Sequence, residues 1–229
     1  MPHEPTRPPL ELPASTPLVA PSDLAERLAA IGVALEASQV ALIGDYLGRL
    51  IAMNELVNLT RITTPEDAWS RHVLDALTLV PHLVDLEPGA RVVDVGSGGG
   101  VPGIPLAIAR PDLRVSLVEA TDKKCAFLRA VTRALGLKVD VVTERAEKLA
   151  TGHLKGAFDV VTARAVAPIE TLLGWTAPLA KPGGALLFIK GERADEELAA
   201  AKPALRRFRC AHEQTALTPT GRVVVLRVG

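Results

Sequence analysis

The chain has 229 residues, 48% of them hydrophobic, enough to bury a full core as one domain with an extension. No apolar run reaches the roughly 18 residues that a membrane helix needs, and the N-terminus lacks the charged head and apolar stretch of a secretory signal, so a cytoplasmic protein is expected. The two cysteines, Cys125 and Cys210, are too few and too far apart for a disulfide framework or a zinc site. Formal net charge is zero, yet residues 1–100 carry 6 Lys+Arg against 13 Asp+Glu while residues 101–229 carry 20 against 13. The basic C-terminal half could meet phosphate, although a solvated helix surface gives a similar count. With seven aromatic residues in all, a platform that stacks single-stranded bases is poorly supported.

Residues 1–21 contain seven prolines, Pro8 and Pro9 adjacent, and read as an extended or disordered tail without core residues. Residues 22–84 read as an all-helical extension. Ser22 caps a helix through Leu24, Leu28 and Ile31 that stops at Gly32, and Ser38 opens a longer one carrying Leu42, Tyr46, Leu50 and Met53. Thr64-Pro65-Glu66-Asp67 supplies a cap, a proline at the first helical position and two acids in the first turn, leading a helix through Trp69, Val73 and Leu77. From Arg91 short β-branched runs alternate with helical periodicity, the pattern of a parallel sheet covered on both faces. The strands are placed at 91–95, 114–119, 138–142, 158–163 and 184–190, with helices near 103–110, 121–135, 145–150 and 168–180. Lys181-Pro182-Gly183-Gly184 reads as a turn before the last of these strands. A helix near 192–207 and strands near 207–213 and 222–228 complete residues 85–229 as an α/β domain with a doubly wound, Rossmann-like sheet.

The most informative stretch runs from Val92 to Gly103, where a buried strand passes into Gly96-Ser97-Gly98-Gly99-Gly100-Val101 and then a helix. Glycines at the carboxyl end of such a strand let the backbone turn tightly and approach a ligand. Gly98, Gly100 and Gly103 satisfy the dinucleotide pattern G-x-G-x-x-G, which leaves a nicotinamide-dependent oxidoreductase open as an alternative. Asp94 favours S-adenosylmethionine, since a carboxylate there suits a ligand with a positive amino acid end and would repel a pyrophosphate. Glu119, ending the next strand, is placed to accept from two ribose hydroxyls or to cap the helix near Thr121, and the two roles are compatible.

After the fourth strand the chain reads Ala163-Arg164-Ala165-Val166, without the Asn/Asp-Pro-Pro-aromatic motif of amino-directed nucleic-acid methyltransferases. Cys125 lies inside a helix, where a packed thiol is a better reading than a cytosine-directed nucleophile. Clustered acids for metal-dependent oxygen methylation are not seen, so no metal is expected. Elimination leaves a substrate atom that is nucleophilic without losing a proton, such as N7 of guanine.

Several separate motifs carry a resemblance: Asn54-Glu55-Leu56-Val57-Asn58-Leu59-Thr60, His72-Val73-Leu74-Asp75-Ala76-Leu77, the Gly96–Gly103 loop continuing as Ile104-Pro105-Leu106-Ala107, Lys123-Lys124, Arg164-Ala165 and Lys190-Gly191. Over residues 36–229 the chain resembles the bacterial 16S rRNA guanine-N7 methyltransferases, also called glucose-inhibited division protein B. The resemblance implies a class I methyltransferase fold, a methyl donor contacted around Gly96, Val101, Ala146, Glu147 and Arg164, and N7-methylguanine at position 527 of small-subunit rRNA. Ala76 stands where many relatives have serine. His72 and Asp75, three apart on one helix face, read either as a pair fixing that helix or as contacts to substrate RNA. Arg164 and Lys190, at the carboxyl ends of two strands, read as positioning residues for cofactor and RNA, with no general base expected. Lys123, Lys124, Arg129 and Arg133 read as solvated helix charges. The expected partner is 16S rRNA or the small ribosomal subunit, the expected state a monomer, and a non-catalytic ribosome-assembly factor is a further alternative.

Overall fold

The computed structural model describes residues 10–152 and 154–229. Seven strands form one sheet: β1 Arg91–Val95, β2 Arg114–Glu119, β3 Val139–Thr143, β4 Phe158–Arg164, β5 Ala180–Lys190, β6 Cys210–Thr218 and β7 Gly221–Val228. Their spatial order is β3-β2-β1-β4-β5-β7-β6. The first five run parallel, whereas β7 lies antiparallel between β5 and β6. The helices are α1 Leu24–Ala30, α2 Ala37–Asn54, α3 Pro65–Asp67, a π-helical stretch Ala68–Leu74, α4 Asp75–Leu77, α5 Gly103–Ala109, α6 Asp122–Ala134, α7 Ala146–Leu149, α8 Ile169–Thr176, α9 Ala194–Ala200 and α10 Lys202–Arg207. Among the described residues no helix is long and apolar enough to cross a membrane.

Alternate strand residues serve opposite faces of the sheet. Val92, Val160 and Leu187 join one core with Leu24, Ile43, Leu50, Trp69, Leu77, Ile104 and Phe127. Val93, Val161 and Leu186 join the other with Leu172, Leu173 and Ala204. The helical extension therefore shares the sheet face that α5 and α6 cover. Burying each of its large apolar side chains is worth about 1.5–3 kcal/mol, so its docking is a built part of the fold.

Residues 10–21 contain no helix or strand, as their prolines dictate, but they are not a free tail. The Leu18 N–H donates to the Gly44 carbonyl at 2.9 Å, and Leu12, Leu18 and Ala20 pack on the core. A Cβ at Gly44 would meet the Leu18 carbonyl oxygen at 2.5 Å, and one at Gly48 the Thr16 oxygen at 2.2 Å. The expected tail without core residues is thus corrected for this stretch, because two glycines on α2 open the space that admits it. Residues 1–9 of that expectation lie outside the described residues.

Other departures have local causes. Helix α2 starts with a capping box between Glu36 and Gln39 in place of a Ser38 cap. Thr64 caps as expected, accepting from the Asp67 N–H, but the helix it opens widens to π geometry over Ala68–Leu74. Strand β5 begins at Ala180, taking in the expected turn at Lys181–Gly184 across a register shift against β4. The helix expected over 192–207 is two, because Pro203 at the start of α10 has no N–H with which to continue α9. Strand β6 runs longer than expected, and as a mostly exposed edge strand it carries no apolar alternation to read.

Candidate active site

Strand β1 is flanked by β2 on one side and β4 on the other, so the connection after it opens at the point where the sheet changes direction, at the carboxyl ends of the strands. There the N–H groups of Gly96 and Ser97 both donate to the Val118 carbonyl, at 2.8 and 3.0 Å, tying the glycine loop to β2. Gly96 and Gly98 take φ values of +74° and +56°, which side chains rarely adopt, and a Cβ at Gly96 would lie 2.6 Å from the Val166 side chain. The loop forms one wall of a cleft of about 1160 Å³. Gly96, Gly98, Val101, Glu119, Ala146, Glu147, Arg164 and His72 all line it, so most of the expected site residues converge.

Glu119 is 8% exposed, and its carboxylate accepts from the Gly98 N–H at 3.0 Å and the Thr121 N–H at 2.8 Å. Each oxygen keeps a second lone-pair direction for a ligand, so holding the loop, capping α6 and receiving ribose hydroxyls are compatible. Asp94 behaves otherwise. It is 1% exposed and does not line the cleft. Its oxygens accept from the Thr162 hydroxyl at 3.1 Å and the Gly103 N–H at 3.2 Å. Burial pushes its carboxyl up to about 6, against the lowering effect of these hydrogen bonds. The structure sets Asp94 behind the cleft wall: strand alternation turns it toward α5, where it ties the loop's exit to β4.

A hydrogen-bonded chain closes the cleft's other side. The Arg164 guanidinium, at the end of β4, donates to the Arg71 carbonyl and to His72 Nδ1, the latter at 2.9 Å. Guanidinium groups only donate, so Nδ1 accepts and the ring proton sits on Nε2, which donates to Thr60 Oγ1 at 2.9 Å. Thr60 Oγ1 also accepts from the Ile62 N–H, and Asn54 Oδ1 accepts from the N–H groups of Leu59 and Thr60. The loop at 58–62 is thereby fixed against the sheet. Burial first, then the charges of Arg164 and Arg71, hold His72 down to about 3, so the imidazole is neutral. Burial also lowers the Arg164 guanidinium from its usual range.

Two further expected site residues lie outside the cleft lining. Asp75, 2% exposed and outside the cleft, accepts from the N–H and hydroxyl of Thr220 and locks α4 to the β6–β7 turn. It does not pair with His72, and burial raises its carboxyl. Lys190, with a side chain 7% exposed, pairs with Glu197 at 2.7 Å and donates to the Ala167 carbonyl at 2.8 Å, bracing the 165–168 loop against α9. It too lies outside the cleft lining. Sequence reasoning missed Tyr46, which it counted only as apolar: the buried hydroxyl donates to the Gly99 carbonyl at 2.8 Å and fastens the helical extension to the glycine loop. It also missed Arg61, Arg71, Arg145 and Trp175 as lining residues, and counted Lys124 as solvated.

The family description "rRNA small subunit methyltransferase G" (GidB) matches residues 39–220. The chain belongs to this family. The Ribosomal RNA small subunit methyltransferase G of Sorangium cellulosum is 59% identical over 222 residues, covering 96% of this chain and 93% of that protein. Its namesake from Moorella thermoacetica is 39% identical over 176 residues, covering 76% and 73%. A solved S-adenosylmethionine-dependent methyltransferase from Aquifex aeolicus superposes with a TM-score of 0.56 at 16% identity, covering 72% of this chain and 94% of that one, a likeness of fold. The methyltransferase G match spans most of α2 through the β6–β7 turn, so it takes in both walls of the cleft. Membership makes the chain a methyltransferase with S-adenosylmethionine as its methyl donor, and sets aside the oxidoreductase and the non-catalytic assembly factor.

Proposed function

We propose that this chain transfers the methyl group of S-adenosylmethionine to N7 of a guanine in 16S rRNA, the guanine at position 527. The observation that carries the choice of atom is the state of His72, which among the described residues is the one histidine lining the cleft. Both its ring nitrogens are engaged, its proton sits on Nε2, and it stays neutral. Such a histidine orients its neighbours and takes no proton from a substrate. Guanine N7 carries a free lone pair at neutral pH and needs none removed.

The residues present fit the cofactor. Glu119 offers carboxylate lone pairs to ribose hydroxyls, the loop at Gly96–Gly98 admits a ligand against bare backbone, and Ala146 and Glu147 stand across the cleft. When bound, S-adenosylmethionine supplies an electrophilic methyl group on a sulfonium centre. Arg164, anchored by Arg71 and His72, keeps its place at the end of β4 between that pocket and the extension, so catalysis rests on alignment. The test is to disrupt the gene and map N7-methylguanine in 16S rRNA. Loss of one modification at position 527, restored by the intact gene, supports the reading; unchanged N7-methylation there with a different base altered overturns it.

A further inference from the structure

The cleft is lined by more cations than the cofactor reading uses. Arg61 sits in the 58–62 loop, Arg71 on the π-helical stretch, Lys124 in the first turn of α6 and Arg145 at the N-cap of α7. Arg61, Arg71 and Arg145 are exposed and Lys124 is half-buried. Among the described residues none of the four makes an ion pair; other cations such as Lys123 and Arg133 are unpaired too, but these four are the ones besides Arg164 that line the cleft. Of the acids in the cleft, Glu119 and Glu147 are assigned to the cofactor in the reading above and Glu144 pairs with Lys148 at 3.4 Å.

We propose that Arg61, Arg71, Lys124 and Arg145 form a phosphate clamp for the RNA strand across the mouth of the cleft, two cations from the helical extension and two from the sheet domain. The geometry supplies the alignment. Arg61 follows Thr60 and Arg71 precedes His72, so both extension cations flank the chain Thr60–His72–Arg164 that ends on β4. Their placement against the sheet domain is thus set by part-buried hydrogen bonds. Unpaired guanidinium and ammonium groups at a rim suit phosphate oxygens and carry no base preference, so the clamp positions the strand while the pocket selects the base.

The inference rests on the RNA substrate reading, and salt dependence separates the two. Each phosphate neutralised contributes about −0.7 to −0.9 to the slope of log affinity against log salt, so four contacts give a slope of roughly −3. The full chain is titrated with a fluorescent transcript of the target region of 16S rRNA over a salt series. Arg61→Gln, Arg71→Gln, Lys124→Gln and Arg145→Gln should each flatten the slope by about 0.7 to 0.9, close to one contact. Lys123→Gln and Arg133→Gln, exposed on α6 and outside the cleft, should leave it unchanged. Slopes unaltered in the four variants, or flattened equally in the two controls, overturn the clamp while leaving an RNA-binding enzyme. A wild-type chain that does not bind the transcript overturns the substrate reading itself.

Discussion

Replacing His72 by Asn should change how the protein responds to acid, and by an amount the structure sets. The buried imidazole is held at about 3 against an ordinary value of 6.5, so the unfolded chain takes up a proton that the folded chain refuses. A base with a lowered folded pKa gives stability that is complete above about 6.5 and drains away as pH falls toward about 3. At about 1.4 kcal/mol per pH unit the whole loss is about 5 kcal/mol, and the part between pH 7.5 and 4.5 is about 3 kcal/mol. Asp94 works in the opposite sense: its folded value of about 6 lies above the ordinary 3.8, so acidification between about 6 and 3.8 favours the fold by about 3 kcal/mol. Arg164 and Arg71 are the other charged groups that act on His72. The wild-type profile is therefore a partial cancellation, and the signal lies in the difference between variant and wild type. Asn keeps an acceptor near Arg164 but does not titrate. Urea unfolding followed by the fluorescence of buried Trp69 should give a stability loss between pH 7.5 and 4.5 that is smaller in His72→Asn by about 2–3 kcal/mol. Equal losses in the two proteins would refute a neutral, buried His72.

Glu119→Ala should weaken S-adenosylmethionine binding at least tenfold in calorimetry, because hydrogen bonds to a charged group are worth about 1.5–3 kcal/mol each; unchanged affinity would end its role. With saturating RNA and cofactor, the single-turnover rate should be nearly flat between about pH 6 and 9, and a rise centred near 6.5 that disappears in His72→Ala would show that a base is required. Gly48→Val places side-chain atoms where the Thr16 carbonyl lies, so it should displace the 10–21 segment and lower the melting temperature by several degrees, as should removal of residues 1–21. A melting temperature unchanged in both would return that segment to a free tail.

What was legible in the sequence is what short-range chemistry determines. The strand-to-glycine passage at Val92–Gly103, the short β-branched runs of β1 to β5, the Thr64 cap and the order of alternating strands and helices are all local patterns, and the structure has them within a few residues. Local patterns also pointed to Gly96, Gly98, Glu119 and Arg164, because residues at the carboxyl ends of parallel strands meet there, while Val101, Ala146 and Glu147, which line the same cleft, came from the family resemblance.

The direction in which a polar side chain is used was decided elsewhere. Asp94 and Asp75 sit beside the right motifs, yet each is engaged by a partner that no local window contains: Thr162 lies 68 residues from Asp94 and Thr220 lies 145 from Asp75. Lys190 pairs with Glu197 nearby in the chain, but the Ala167 carbonyl that it also meets lies 23 residues away. The bonds that build the extension's wall are as remote, with 53 residues between Tyr46 and Gly99 and 92 between His72 and Arg164. A buried polar group must find a hydrogen-bond partner or lose the free energy of its hydration, and that partner exists only once the chain has packed. Sequence alone therefore determined the order of strands along the chain and the glycine loop around which the cleft forms, while the tertiary structure decided which of the nearby polar residues line the cleft and which are spent holding its walls in place.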